Sequence, residues 1–423
     1  MQAVWAAAGT RASVGRGPAF AMIATLAVLA ACAPRQKPPV APVAPPPPVE
    51  KPAEVKPGEV HRIAILVPLT GANAPVGISL ANAATLALVD TGKQGIRLTS
   101  YDTAALGATG AANRALADGA QLILGPLLAA DAAAVKAVAE PRGITMLSFS
   151  NDAAIAAGRL YVLGFQPAQS VSRVVDYAAG RGTRKFAALV PDGVYGQRTS
   201  VAFTRAVATH DAQVVALTSF ARTQAALPAA ARKVTDYDAR LKQASATQPT
   251  KRPDGTIAPA TRSMPPVSFE ALLVADSGAI AAAFSPHLAK FGAPAGSYLM
   301  MGTELWNTEP GLGASQALHG AVFAAVPDQR FQSMSRRYQA RFGGTPSRLA
   351  SLSYDATLLA ISAAGTQWPV GTSFPQKLLD DPQGFAGVDG IFRFRGNIAE
   401  RGLEVQQVGP GGFTTVSPAP TAF

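Results

Sequence analysis

Histidine and cysteine are the side chains most often recruited for metal or nucleophilic chemistry, and this chain is poor in both. Its 423 residues hold one cysteine and four histidines. The histidines, His61, His210, His287 and His319, lie far apart, and none has a metal-ligand partner three or four residues on. A histidine-based metal centre is therefore not expected. A single cysteine, Cys32, can build neither an internal disulfide nor a multi-thiolate site. There is no nucleophile elbow, phosphate loop or dinucleotide fingerprint, and the glycines of "GRGTRKF" have the wrong spacing. The sequence points to a protein that is not an enzyme, with no cofactor and no metal.

Cys32 has a different context. Arg11 and Arg16 form a positive region, and "PAFAMIATLAVLAA" (Pro18 to Ala31) is an apolar run of small and aliphatic residues. At about 14 residues it is short for a membrane-spanning helix, which needs about 20. It has the build of a signal peptide over residues 1–31. Leu29, Ala30, Ala31 and Cys32 resemble the bacterial lipobox. That resemblance implies cleavage before Cys32 and acylation of its thiolate, which would give stable membrane anchoring. The alternative is ordinary cleavage after an alanine, leaving a soluble protein. Ala33 is not aspartate. By resemblance to enterobacterial sorting, that favours the outer membrane, with the inner membrane as the alternative. Residues 32–60 continue with a proline-rich segment suited to extended polyproline II. At about 3.1 Å per residue it spans up to roughly 80 Å. The expected setting is the cell envelope, facing the periplasm.

The net charge of +11 suits an anionic surface such as lipid or wall polymer. Nucleic acid is not expected. The arginines are scattered, and the aromatic share of 7% is too low for stacking platforms.

From His61 onward strands and helices alternate. "RIAILVPL" is a buried strand, and "ISLANAATLALVDTG" has helical spacing and stops at Gly92. The alternation continues through "QLILGPL", "ITMLSFS" and "RLYVLGF". It resumes with "KFAALVPD", "AQVVALTSF", "FEALLVAD" and "SYLMMG". "LPAAARKVTDYDARLKQA" is expected as one helix, and the tail "GVDGIFRFRGNIAERGLEVQQV" as a hairpin. The fold class is α/β, with parallel sheets covered on both faces.

The order and spacing of "IAILVPLTGANAPVG", "LILGPLLAADAAAV", "GITMLSFSNDAA", "GVYGQR", "YLMMGTELWN" and "RYQARFGGTPSRLASLSYDATLLA" resemble the type 1 periplasmic binding proteins, the leucine/isoleucine/valine group in particular. The resemblance implies two lobes joined by three crossovers, with a ligand cleft at the carboxyl ends of the strands. Lobe 1 is expected at 61–165 plus 329–368, and lobe 2 at 166–328 plus 369–423.

Site residues carry over one at a time. Ala129 stands where amino-acid binders place a serine for the ligand carboxylate. Ser148 and Ser150 are expected to line the cleft, with helix capping as their alternative. Asp152 stands in place of a threonine, where a carboxylate would repel an anionic ligand, and it equally suits a helix N-cap. Tyr195 matches a tyrosine flanking the ligand. Glu304 matches the acid that pairs with the ligand ammonium, with an exposed loop carboxylate as the alternative.

The lipidated, tethered lipoproteins that activate penicillin-binding proteins share this fold, and "GPLL", the insert and the proline tether resemble them. The expected function is therefore a non-catalytic lipoprotein regulating peptidoglycan synthesis through a penicillin-binding protein. The alternative is a substrate-binding lipoprotein for amino acids, partnered by an ABC transporter permease and holding a small zwitterionic ligand.

Residues 245–267 are polar, basic and proline-containing, and read as a mobile insert. Limited trypsin digestion of the native protein is expected to cut first at Lys251 or Arg252. Resistance at both sites would refute that expectation.

Overall fold

The computed structural model describes residues 60–423, apart from 247–249 and 259–261. The expected signal peptide, Cys32 and the tether lie outside the described residues.

The first half builds strands β1 (His61–Val67), β2 (Ile96–Asp102), β3 (Leu122–Leu124), β4 (Thr145–Ser148) and β5 (Leu160–Val162), all parallel. The second half builds β6 (Lys185–Pro191) and β7 (Gln213–Phe220). The insert follows as four short strands, β8 (Ser245–Ala246), β9 (Thr250–Lys251), β10 (Ile257–Ala258) and β11 (Arg262–Ser263). Next come β12 (Ala271–Val274), β13 (Leu299–Gly302) and β14 (Val322–Ala325), which are parallel with β6 and β7. The inner strands β3, β12 and β14 are fully buried apolar runs, as a sheet covered on both faces requires, whereas β2 and β7, at the sheet edges, are mostly half-buried or exposed.

The tail departs from the expected single hairpin and from the expected partition. β15 (Phe385–Gly387), β16 (Gly390–Arg395) and β17 (Ile398–Arg401) join the first sheet, in the order β15-β16-β17-β5-β4-β3-β1-β2. β18 (Glu404–Gly409) and β19 (Gly412–Ser417) join the second, in the order β19-β18-β14-β13-β12-β6-β7. Residues 385–401 thus belong with the first half, not with the second. The reason is packing. β17 adds to the free edge of β5 through Ile398 and Val162, and Phe392 and Phe394 are buried in the same core as Tyr161. Both sheets are consequently mixed, each ending in antiparallel strands rather than being parallel throughout.

The chain passes between the sheets three times: after β5, after β14 and between β17 and β18. Each sheet has an apolar core on either face. Helices Ala74–Thr91 and Ala350–Thr366 cover one face of the first sheet, and Ala108–Ala117 and Ala129–Ala139 the other. Helices Pro167–Ala179 and Val194–Ala208 cover one face of the second, and Leu227–Val234 and Gly278–Lys290 the other.

The helix expected over 227–244 is broken. It ends at Val234, and Asp236 takes a left-handed conformation (φ 48°) before a second helix at Tyr237–Gln243. Thr235 returns its hydroxyl to the Ala231 carbonyl at the break. In the insert, β9 pairs with β10 and β8 with β11, so 245–263 folds back on itself as an antiparallel arm turning through Asp254 and Gly255.

Both halves repeat one joint. Leu66-Val67 ends β1 with Pro68 directly after it, and Leu189-Val190-Pro191 ends β6. The helix that follows each brings a glycine onto the proline carbonyl. A Cβ on Gly77 would lie 1.8 Å from the Pro68 oxygen, and one on Gly196 would lie 1.7 Å from the Pro191 oxygen. These are backbone contacts within a close-packed joint, so relief requires moving a helix. Gly77→Ala and Gly196→Ala are each expected to lower stability by about 1–3 kcal/mol, read as a lower urea midpoint at unchanged slope. An unchanged midpoint would show that the joint yields.

Candidate functional site

The two halves face each other across a cavity of about 720 Å³. Leu127, Leu128, Phe149 and Leu349 border it from the first half, and Ser170, Glu304 and Leu305 from the second. Its lining is largely apolar, with a few convergent polar groups, the usual build of a small-molecule site.

Glu304 is placed by its surroundings. It opens a 3-10 turn, Glu304–Thr308, directly after β13. Trp306 anchors that turn: it is fully buried, and its Nε1 donates to the Asp276 carbonyl at 3.0 Å. Gly302 leaves room beneath the indole, since a Cβ there would come within 2.3 Å of the ring. Ser170, in the first turn of helix Pro167–Ala179, donates its hydroxyl to Glu304 Oε2. Tyr195, in the first turn of helix Val194–Ala208, donates to Glu304 Oε1 at 3.3 Å and shares a 3.1 Å bond with Thr303 Oγ1. Burial raises the Glu304 carboxyl above its usual range, partly offset by the Ser170 and Tyr195 hydrogen bonds. Burial and the neighbouring Glu304 also raise the Tyr195 phenol.

Of the six residues expected at the ligand, Glu304 borders this cavity and the other five do not. Ala129 is the first residue of its helix, beside Leu127 and Leu128, which do border the cavity. Ser148, Ser150 and Asp152 form a local chain. Ser148 Oγ donates to the Pro126 carbonyl at 2.9 Å, and Ser150 N donates to Ser148 Oγ at 3.2 Å. Asp152 N donates to Ser150 Oγ at 3.1 Å. Asp152 also caps the short helix Ala153–Ile155, accepting from Ala154 N at 2.9 Å. The same Oδ1 accepts from Arg198 Nη2 of the opposite half at 2.8 Å. Asp152 thus ties the halves together instead of facing the cavity.

Two cavity-bordering residues that the sequence did not single out are Arg348 and Arg401. They belong to a buried ionic cluster where all three passes meet. Arg348 Nη1 donates to Asp389 Oδ1 at 2.8 Å, and its Nε lies 3.7 Å from Asp328, on the second pass. Arg401, at the third pass, donates from Nη2 to the Leu163 carbonyl of the first at 2.9 Å. Phe165 lies near both guanidinium carbons, at 5.6 and 5.1 Å. Asp355 completes the cluster by accepting from Val388 N at 2.7 Å and Asp389 N at 3.3 Å. Nothing in sequence distinguishes a buried arginine from a surface one. The signal available was "YDA", an aspartate inside an apolar helix.

The sequence profile described as periplasmic binding protein matches residues 61–412. The chain belongs to that family. As a periplasmic binding protein it is placed in the envelope or periplasm. It is 32% identical over 139 residues to an uncharacterised protein of Rickettsia prowazekii, a match spanning 33% of this chain and 37% of that one. A putative branched-chain amino acid ABC transporter protein from Rhodospirillum rubrum superposes with a TM-score of 0.68 at 19% identity, covering 84% of this chain and 100% of that one. The leucine binding protein LivK of Thermotoga maritima gives 0.57 at 17%, covering 85% and 99%. Full-length LpoA of Haemophilus influenzae gives 0.59 at 16%, covering 86% of this chain and 60% of that one. At these identities the structural likeness speaks to the fold.

Asp355 supplies a pH test of the cluster. Burial, and then the charge of Asp389, push its carboxyl up to about 7. The unfolded value is about 3.9. The folded state therefore binds the proton more tightly, and this group's contribution to stability falls as pH rises from about 4 to about 7, then levels off. Asp355→Asn is expected to flatten that part of the profile, gaining on the native protein at pH 8 relative to pH 5 in urea midpoint. Parallel profiles for the two proteins would refute it.

Proposed function

We propose that the protein is a non-catalytic, outer-membrane lipoprotein, acylated at Cys32 and tethered through residues 33–60, whose leucine-binding-protein-like domain engages and regulates a penicillin-binding protein. The observation that carries this reading is the state of the amino-acid grips. Ala129 has no hydroxyl to offer a carboxylate. Asp152 is engaged by Arg198 and Ala154. Both Glu304 oxygens already accept protein hydroxyls, from Ser170 and Tyr195. A free zwitterion therefore finds its carboxylate unmet at the position where the family holds it, and its ammonium facing a carboxylate already engaged by two hydroxyls. The shared fold with LpoA and the resemblance in sequence to the activator lipoproteins support the same reading.

A second reading, solute capture for an ABC transporter, is favoured by the cavity of about 720 Å³, within the size range of small-molecule sites. Two solute-binding neighbours of this fold hold benzoate and 3,4-dihydroxybenzoic acid, so in this reading the solute is not confined to amino acids.

Two measurements on the full chain separate the readings. Calorimetry with leucine, isoleucine and valine is expected to give no saturable heat. Pull-down from solubilised envelopes is expected to recover a transpeptidase, whose glycan synthesis the purified protein then stimulates. Tight binding of a free amino acid, with no effect on the synthase, would overturn the proposal in favour of transport.

A further inference from the structure

A second cavity, of about 510 Å³, lies beside the cleft and shares Asn307 with it. One side is the entry to helix Gln329–Phe342, with Asp328 and Gln332. The other is the β18–β19 hairpin, with Glu404, Gln406 and Phe413. None of these residues belongs to the site described above, apart from the outer contact of Asp328 with Arg348.

The polar groups of this cavity are arranged in pairs. Gln332 Nε2 donates to Asp328 Oδ2 at 2.7 Å, and Gln406 Nε2 donates to Glu404 Oε1 at 2.6 Å. Gln406 is 4% exposed, and its Oε1 has no hydrogen-bond partner. That buried carbonyl is shut off from solvent, so the polar groups a ligand meets are those of the other residues bordering the cavity, Asp328, Gln332, Glu404 and Thr415. Carboxylate and carboxamide oxygens in pairs match a ligand that offers several hydroxyl donors and also accepts from amide N–H groups. Phe413 adds an aromatic wall, packed edge-on against Phe323 with centroids 4.9 Å apart. An aromatic ring suits the apolar C–H face of a ligand whose rim is polar.

A cation fits less well. Among the described residues no lysine, arginine or histidine borders the cavity, but the charge of Asp328 is partly offset by Arg348 at 3.7 Å, and Glu404 accepts from the Gln406 amide. Among the described residues there is also no group of three acids, histidines or cysteines able to hold a metal. We propose that this cavity is a binding site for a neutral oligosaccharide. The inference is independent of the function proposed above, since it uses different residues and a different probe.

The test is calorimetry of the full chain with triacetylchitotriose, maltotriose and, as the cationic competitor, spermidine. Thr415→Arg places a bulky side chain at the exposed rim, and Gln332→Ala removes one exposed amide; neither residue is buried. Saturable binding of at least one sugar is expected, weakened about tenfold or more in both variants. Binding of the chitotriose alone would assign recognition to the acetamido group, and binding of both sugars to the hydroxyls. Absence of saturable sugar binding, spermidine binding in its place, or sugar affinity unchanged in the two variants would each overturn the proposal.

Discussion

The cluster of Arg348, Asp389, Arg401 and Asp355 is the constraint on which the two-part architecture depends. Its members come from distant positions in sequence, yet they meet where the backbone goes from one sheet to the other. Arg401 holds the first pass through the Leu163 carbonyl, and Arg348 reaches toward Asp328 on the second. Removing one partner of such a buried set leaves another charge uncompensated, which typically costs several kcal/mol, whereas the intact set adds little net stability over an apolar replacement. What the cluster supplies is a defined meeting point for three strands of backbone. The cavity between the halves is bordered by two of its members, so the shape of the cleft and the state of this cluster are linked.

That link bears on function. In a binding protein of this family the ligand is gripped from both sides of the cleft. Here a protein side chain makes one such bridge: Arg198 of the second half reaches Asp152 of the first. The pair is partly exposed, so its energetic weight is small, about 1 kcal/mol or less. Its significance lies in position, since it joins the halves without a solute. Glu304 is similarly occupied by neighbours from its own half. Ser170 and Tyr195 thus supply Glu304 with partners from within the protein, and Arg198 supplies one to Asp152.

The alternation of strands and helices was legible because strands buried on both faces must be continuous apolar runs, and because Gly92 ends its helix where a glycine is expected. What escaped the reading depends on contacts remote in sequence. The tail looked like one hairpin because nothing local says that β17 will pair with β5, about 235 residues earlier, while β18 pairs with β14. The break at Thr235 and Asp236 escaped because threonine and aspartate are tolerated in helices and decide otherwise only through local side-chain bonds. The site residues split along the same line. Glu304 was found from the motif around it. Arg348, Arg401 and Ser170 were not, because their roles follow from burial and from the meeting of the halves.

The repeated joint at Pro68 with Gly77 and Pro191 with Gly196 has a mechanical consequence. In each half the leading strand and its helix touch backbone to backbone, with no side chain between them to act as a cushion. The leading strand and its helix in each half therefore shift only as one piece, and a change of angle between the halves falls to the three backbone segments that join them.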